Sequence, residues 1–285
     1  MFTNVLVGVD GRPGGRDASA LAQLLAHPAG HVTLAHVYGG AWMLGGAAAL
    51  LLVGEREYSE QLLAREAGLA VAPQPAVTVS WPSRSVGRGL HELAEQREAD
   101  LLVVGSRRRG IVETILTGEH TLASLNGAPC AVAIAPGGYS LKERRLDTVG
   151  VGDDGSAESE QALQAARELA VRHRSAVSAL SVVSLQSIPT GNAGPAPDWT
   201  ELTARLIESE RDRLGGLDGV DGDAVYGEPR DELVHFGQDL DLLVVGSRGY
   251  GPLGRLFNGS TSTYLARHVA CPLLVLPRTA PPAAV

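Results

Sequence analysis

Positive charge is scarce in this chain. Its 24 Lys and Arg face 32 Asp and Glu across 285 residues, for a formal net charge of −8. A general nucleic-acid binder needs a basic face to neutralise phosphates, so that class is excluded and a small or proteinaceous partner is favoured. Cysteine is nearly absent: Cys130 and Cys271 make no disulfide framework. Nothing basic in sequence marks either as a reactive thiol, and both read as buried structural residues. The eight histidines include His91 and His235 on matching helices. No HxxxH or CxxC spacing accompanies them, so no metal site is expected. No apolar run is long enough for a membrane span. The most apolar stretch, Ala41 to Val53, holds Gly45 and Gly46 and reads as a loop and helix start packed on the protein. The N-terminus, MFTNVLVGVDG, has neither a basic region nor an apolar core, and reads as lacking a signal peptide.

What the chain does have is an internal repeat. Asp100 to Pro136 lies over Asp241 to Pro277 without a gap, and the first eight residues, DLLVVGSR, are identical. Upstream, VLVGVDG (Val5 to Gly11) lies over TVGVGDDG (Thr148 to Gly155), with Asp10 opposite Asp154. The repeats are therefore expected to form two domains, 1–137 and 146–278, joined by the glycine-rich then charged stretch Gly137 to Leu146, which reads as a linker.

Each repeat alternates strand and helix patterns. In the first, strands are expected at Asn4 to Val9, His31 to Val37, Ala76 to Val79, Asp100 to Val104 and Ala131 to Ala135. In the second they fall near Thr148 to Gly152, Ala176 to Val183, Ala224 to Tyr226, Asp241 to Val245 and Leu273 to Leu276. Near-continuous apolar strands such as LLVV suit a parallel sheet buried on both faces. Alternation with helices calls for right-handed crossovers and an α/β doubly wound sheet. An apolar fifth strand left at a sheet edge is a liability, so the two fifth strands are expected to cover one another.

The chemistry concentrates after strand four. In the second repeat, Val245 runs into GSRGYGPLGRLFNGST: Gly246, two residues, Gly249, nine residues, then Gly259-Ser260-Thr261. Glycines let backbone approach a ligand and adopt positive φ, and successive N–H groups form an anion nest. Asn258 to Ser262 reads as a helix start, a ready phosphate site. No Gly-Lys-Ser/Thr follows, so this is not a Walker A loop. The carboxylates Asp153 and Asp154 follow Gly152 at the end of strand one. Asp154 reads either as an acceptor for a ribose or base at the topological switch point, or as a helix N-cap.

On the G-x2-G-x9-G-S/T loop, the Asp after strand one and the ending Cys271 to Pro277, both repeats resemble universal stress protein domains. The resemblance covers nearly the whole chain. It implies a five-stranded Rossmann-like fold with strand order 3-2-1-4-5 that binds ATP or AMP. It also implies a cytoplasmic stress-response role and a homodimer or tandem pseudo-dimer. By family position Asp154 and Val182 hold the adenosine end, Gly246 lies at the ribose, and Gly249, Gly259, Ser260 and Thr261 hold the phosphates. The first repeat departs from the pattern. Gly105 and Gly118 remain, but Arg108 replaces the second glycine and Glu119 the serine; a carboxylate there repels phosphate, and Arg108 or Arg109 is available to offset it. Asp10 and Val37 stay in place for adenosine or AMP.

The reading that follows is a nucleotide-sensing regulatory protein with an unidentified protein partner, with ATP or AMP bound mainly in the second domain. One alternative is slow ATP hydrolysis, which requires Mg²⁺ positioned with the nucleotide and has Asp153 and Asp154 available. The other is an interaction scaffold that binds no nucleotide.

Overall fold

The computed structural model describes residues 2–39, 46–69, 77–106, 126–143, 145–184, 199–247 and 259–277. The first half runs β1 (Phe2–Gly8), α1 (Pro13–Leu25), β2 (Ala26–Gly39), α2 (Gly46–Leu69), β3 (Val77–Ser83), α3 (Val86–Gln96), β4 (Leu101–Gly105) and β5 (Ala131–Ala135). The second runs β6 (Thr148–Gly152), α4 (Ala157–His173), β7 (Ala176–Val183), α5 (Trp199–Gly215), β8 (Val220–Tyr226), α6 (Pro229–Phe236), β9 (Leu242–Gly246), α7 (Ser260–His268) and β10 (Leu273–Leu276). All ten strands form one sheet, ordered β3-β2-β1-β4-β5-β10-β9-β6-β7-β8. Every pairing within a half is parallel. The halves meet where β5 and β10 pair antiparallel, Leu273 opposite Ile134 and Val275 opposite Val132. That junction removes two apolar edges at once and leaves β3 and β8 outermost.

Local chemistry explains the elements. The LLVV runs of β4 and β9 are buried on both faces, as strands between two helix layers must be. The aspartate that opens each identical octapeptide ties down the first strand beside it. Asp100 accepts from the N–H groups of Thr3 and Asn4 at 2.7 and 3.0 Å. Asp241 accepts from Asp147 and Thr148 at 2.8 and 2.9 Å. Helix α4 starts on Ser156, whose Oγ accepts from Ser159 N–H, with Glu158 and Glu160 in the first turn and Arg172 and His173 in the last.

Three sequence expectations fell short at strand ends. β2 begins at Ala26, directly after α1. β3 continues through Pro82, which an outermost strand tolerates because it has a ladder partner on one side only and can do without that residue's donor. β8 begins at Val220, since its exposed Asp221 and Asp223 are compatible with an edge. The presumed linker is also partly docked. Asp17, with no exposed surface, accepts from Gly138 N–H (2.8 Å), Ser140 N–H (2.7 Å) and Ser140 Oγ–H (2.6 Å). Across the same junction, Arg172 of α4 donates to the Leu24 and Ala26 carbonyls and His173 Nε2–H donates to Leu24 O at 3.1 Å. Among the described residues no helix is long and apolar enough to cross a membrane.

Candidate functional site

In the second half the chain leaves β6 toward β7 and β8, then returns to β9 on the other side. This is a topological switch point, where open α/β sheets bind ligands at the carboxyl ends of strands. A cavity of about 700 Å³ lies there. Its walls bring together Gly152, Asp153, Asp154, Val182, Val245, Gly246, Gly259, Ser260 and Thr261. Gly249 lies outside the described residues. The cavity wall is bipolar. It includes the start of α7, where Gly259 takes the N-cap position with no side-chain cap. The first N–H groups of such a helix lack intrahelical acceptors and favour an anion. It also includes carboxylates. Asp154 is exposed and accepts from Ser156 N–H at 3.0 Å, a side-chain turn just ahead of the helix; the N-cap itself is Ser156, not Asp154. Asp153 is the buried one, its side chain 4% exposed. Its Oδ1 accepts from Gly155 N–H (2.8 Å) and from an Arg213 terminal nitrogen (2.6 Å).

Sequence reasoning missed the helix side of this wall. Glu210 and Leu206 of α5 line the cavity, as do Pro229 and Leu233 of α6. Glu210 Oε2 accepts from Ser181 Oγ–H (2.9 Å) and from both Nε and the terminal nitrogen of Arg213 (3.0 and 2.8 Å). Burial opposes the Arg213 charge, but hydrogen bonds to Glu210 and Asp153 outweigh it and raise its pKa. Glu210 is 57 residues from Asp153 in sequence, with no local pattern to join them.

The glycines need separate accounts. Gly246 has little room for any side chain: an added Cβ would lie 2.6 Å from the Glu158 carbonyl carbon and oxygen at the start of α4. Gly105 is tighter still, 1.9 Å from Gly14 O at the start of α1. Close strand–helix packing alone therefore requires glycine at both positions, whatever the ligand does.

The first half holds a corresponding cavity of about 560 Å³. Asp10, Val37 and Gly105 line it, together with His36, Arg12 and Arg16. The docked stretch at Gly137, Gly138, Ser140 and Leu141 adds a wall. His36 Nδ1 is 2.8 Å from Ser59 Oγ. Burial lowers its pKa, and nearby Asp10 partly opposes the shift. Gly118, Arg108 and Glu119 lie outside the described residues.

Compared with known proteins, the chain matches the Universal stress protein family over residues 1–136 and again over 145–277. The chain belongs to the universal stress protein family. A universal stress protein of Mycobacterium tuberculosis is 28% identical over 203 residues, 68% of this chain and 70% of its own length. One from Mycolicibacterium smegmatis is 29% identical over 200 residues, covering 67% and 66%. The crystal structure of a universal stress protein from Archaeoglobus fulgidus covers 96% of this chain and 98% of its own, with a TM-score of 0.64 and 17% identity, a likeness of fold. Within the two universal stress protein repeats, Cys130 and Cys271 are both free and buried. Burial pushes each thiol up to about 12. Trp199 heads α5 and is 48% exposed.

Proposed function

We propose that this chain is an adenine-nucleotide-binding regulatory protein of the stress response, holding ATP or AMP mainly in its second cavity. The observation that carries the reading is the bipolar wall of that cavity. An uncapped helix start with Ser260 and Thr261 suits phosphate. The carboxylates Asp153, Asp154 and Glu210 across the switch point suit the hydroxyl and amino donors of a nucleoside. In this reading Val182 and Asp154 hold the adenosine end, Gly246 passes beside the ribose, and Gly249, Gly259, Ser260 and Thr261 hold the phosphates. Gly152 and Val245 form the floor. In the first cavity, Asp10, Val37 and Gly105 take adenosine or AMP, while Gly118 beside Glu119 makes a poorer phosphate site. Mg²⁺ accompanies the nucleotide through its phosphates. The two domains act as an intramolecular pseudo-dimer across β5 and β10, in the cytoplasm, and pass the nucleotide state to a protein partner.

The test is thermal. A ligand that binds only the native state adds RT ln(1 + [L]/Kd), about 2.7 kcal/mol at a hundredfold excess over Kd. Differential scanning calorimetry is expected to rank stabilisation as ATP above AMP above adenosine. Equal shifts from ATP and AMP would remove the helix start from the β- and γ-phosphates. Steady ADP release at catalytic protein concentration would replace the sensor with a hydrolase.

A further inference from the structure

The second repeat carries carboxylates at two positions where the first repeat has apolar side chains; the first repeat's buried carboxylate nearby, Glu66, pairs with Arg16 and Arg65 instead. Asp153 stands where the first repeat has Val9, one residue before the paired Asp154 and Asp10. Arg213 lies beside Gly155 as Arg65 lies beside Gly11. Counting back three residues, Glu210 then corresponds to Leu62, which touches Gly11. Val9 and Leu62 are each 4% exposed and belong to the core. The fold is thus built once without this cluster and once with it, so packing alone does not demand it. Burying charged groups is a net cost unless they are well paired, and replacing a buried ion pair by apolar groups is often neutral or stabilising.

The pairing here is incomplete. One Arg213 nitrogen bridges Asp153 Oδ1 and Glu210 Oε2, at 2.6 and 2.8 Å, fixing both carboxylates. The other oxygens, Asp153 Oδ2 and Glu210 Oε1, have no protein partner among the described residues, and both side chains line the cavity. Ionised carboxylates only accept hydrogen bonds, so this end of the cavity takes O–H or N–H donors and rejects acceptors. The anion-favouring helix start belongs to the β9–β10 crossover, whereas Glu210 hangs over β7. Asp153 follows β6, one strand from β9, and Glu210 lies over β7, two strands away, so with strands about 4.8 Å apart the acceptors stand roughly 5 to 10 Å across the sheet from the phosphate side. A sugar diol held between a base and a phosphate chain presents two adjacent O–H donors to such a pair.

We propose that Asp153 and Glu210, held by Arg213, read the ribose hydroxyls of the nucleotide in the second cavity. The first cavity, with Val9 and Leu62, has no such reader. This inference rests on the nucleotide reading of the cavity. Hydrogen bonds to a charged acceptor contribute about 1.5–3 kcal/mol, so loss of one hydroxyl is expected to weaken binding about ten- to hundredfold.

The experiment is titration of the full chain with ATP, 2′-deoxy-ATP, 3′-deoxy-ATP and inosine triphosphate. It is repeated on the double variant Asp153→Val, Glu210→Leu, which copies the first repeat, and on Asp153→Asn as a milder change should the double variant fail to fold. In the wild-type chain at least one deoxy analogue is expected to bind more weakly than ATP by that factor. In the double variant ATP is expected to fall to the affinity of that analogue, while the ratio of ATP to inosine triphosphate stays as in wild type. Asp153→Asn is expected to shrink the ATP-to-deoxy ratio in the same direction. A deoxy ratio unchanged in the variants overturns the proposal while leaving the nucleotide site standing. So does a collapse of the inosine ratio in its place, which would assign the pair to the base. If the wild-type chain binds no adenine nucleotide, the nucleotide reading itself fails and this proposal with it.

Discussion

Replacing Gly246 by Ala separates what the fold needs from what a ligand needs. The added methyl would sit 2.6 Å from the Glu158 carbonyl carbon and oxygen, where carbon contacts settle at about 3.5–4.0 Å. Those atoms are helix backbone, and α4 is fixed by its Ser156 cap and by buried Leu163, Ala166 and Leu169. Relief therefore requires moving β9 or the start of α4, a strain of about 1–3 kcal/mol. A smaller term has the opposite sign. Gly246 is not among the residues with positive φ, so alanine there reduces unfolded-chain entropy and contributes about 0.4–1 kcal/mol of stability. The clash should win by about 1–2 kcal/mol. For a cooperative unit of this size that is a fall in Tm of roughly 2–8 °C. The assay is calorimetric unfolding of the full chain without nucleotide. The control is Gly215→Ala, where nothing lies within 4 Å of the added Cβ, so only the entropy term remains and a small rise in Tm is expected. If Gly246→Ala melts with wild type in the absence of ligand, the packing account of this glycine is wrong.

Asp17→Ala should strip acceptors from the Gly138 and Ser140 amides, costing about 1–3 kcal/mol for each donor left buried. Amide exchange at those two residues should rise, and unchanged protection would show that the linker is not held by this carboxylate. With both thiols at about 12, neither Cys130 nor Cys271 should react with a thiol reagent at pH 8 until denaturant is added; native labelling of either would contradict the burial argument. Burial first, then the Arg172 charge, lowers the pKa of His173 against a raising hydrogen bond to Leu24, so the folded state binds its proton less readily than the unfolded chain. Stability should then be full above about pH 6.5 and fall as pH drops from there toward the lowered folded value. His173→Asn should lessen that fall, and an identical pH profile in the variant would rule the residue out.

Much of the architecture was legible because it is written twice. DLLVVGSR occurs in both repeats, and its aspartate, apolar run and glycine all have structural counterparts. Asp100 and Asp241 pin the first strands, and Gly105 and Gly246 admit the helix starts. Strand ends were less legible. Pro82 and the acidic β8 look unlike strand until their place at the sheet edges is known. The helix-start side of the cavity was readable as a contiguous motif at Gly259-Ser260-Thr261. On the carboxylate side only Asp153, Asp154 and Val182 were legible, because Ser181, Glu210 and Arg213 meet Asp153 only through the packing of α5 on β7 and β8. One signal was present: Asp153 interrupts an alignment in which the other repeat keeps Val9, and a lone polar exchange at a strand end marks a place to look.

Under the proposed function, the helix start at Gly259 binds the phosphates of an adenine nucleotide. Titration calorimetry of the full chain with ATP tests it most directly. One strong site is expected, lost in Gly259→Asp, where a carboxylate takes the N-cap position. Two equal sites, or a strong site that survives Gly259→Asp, would contradict it.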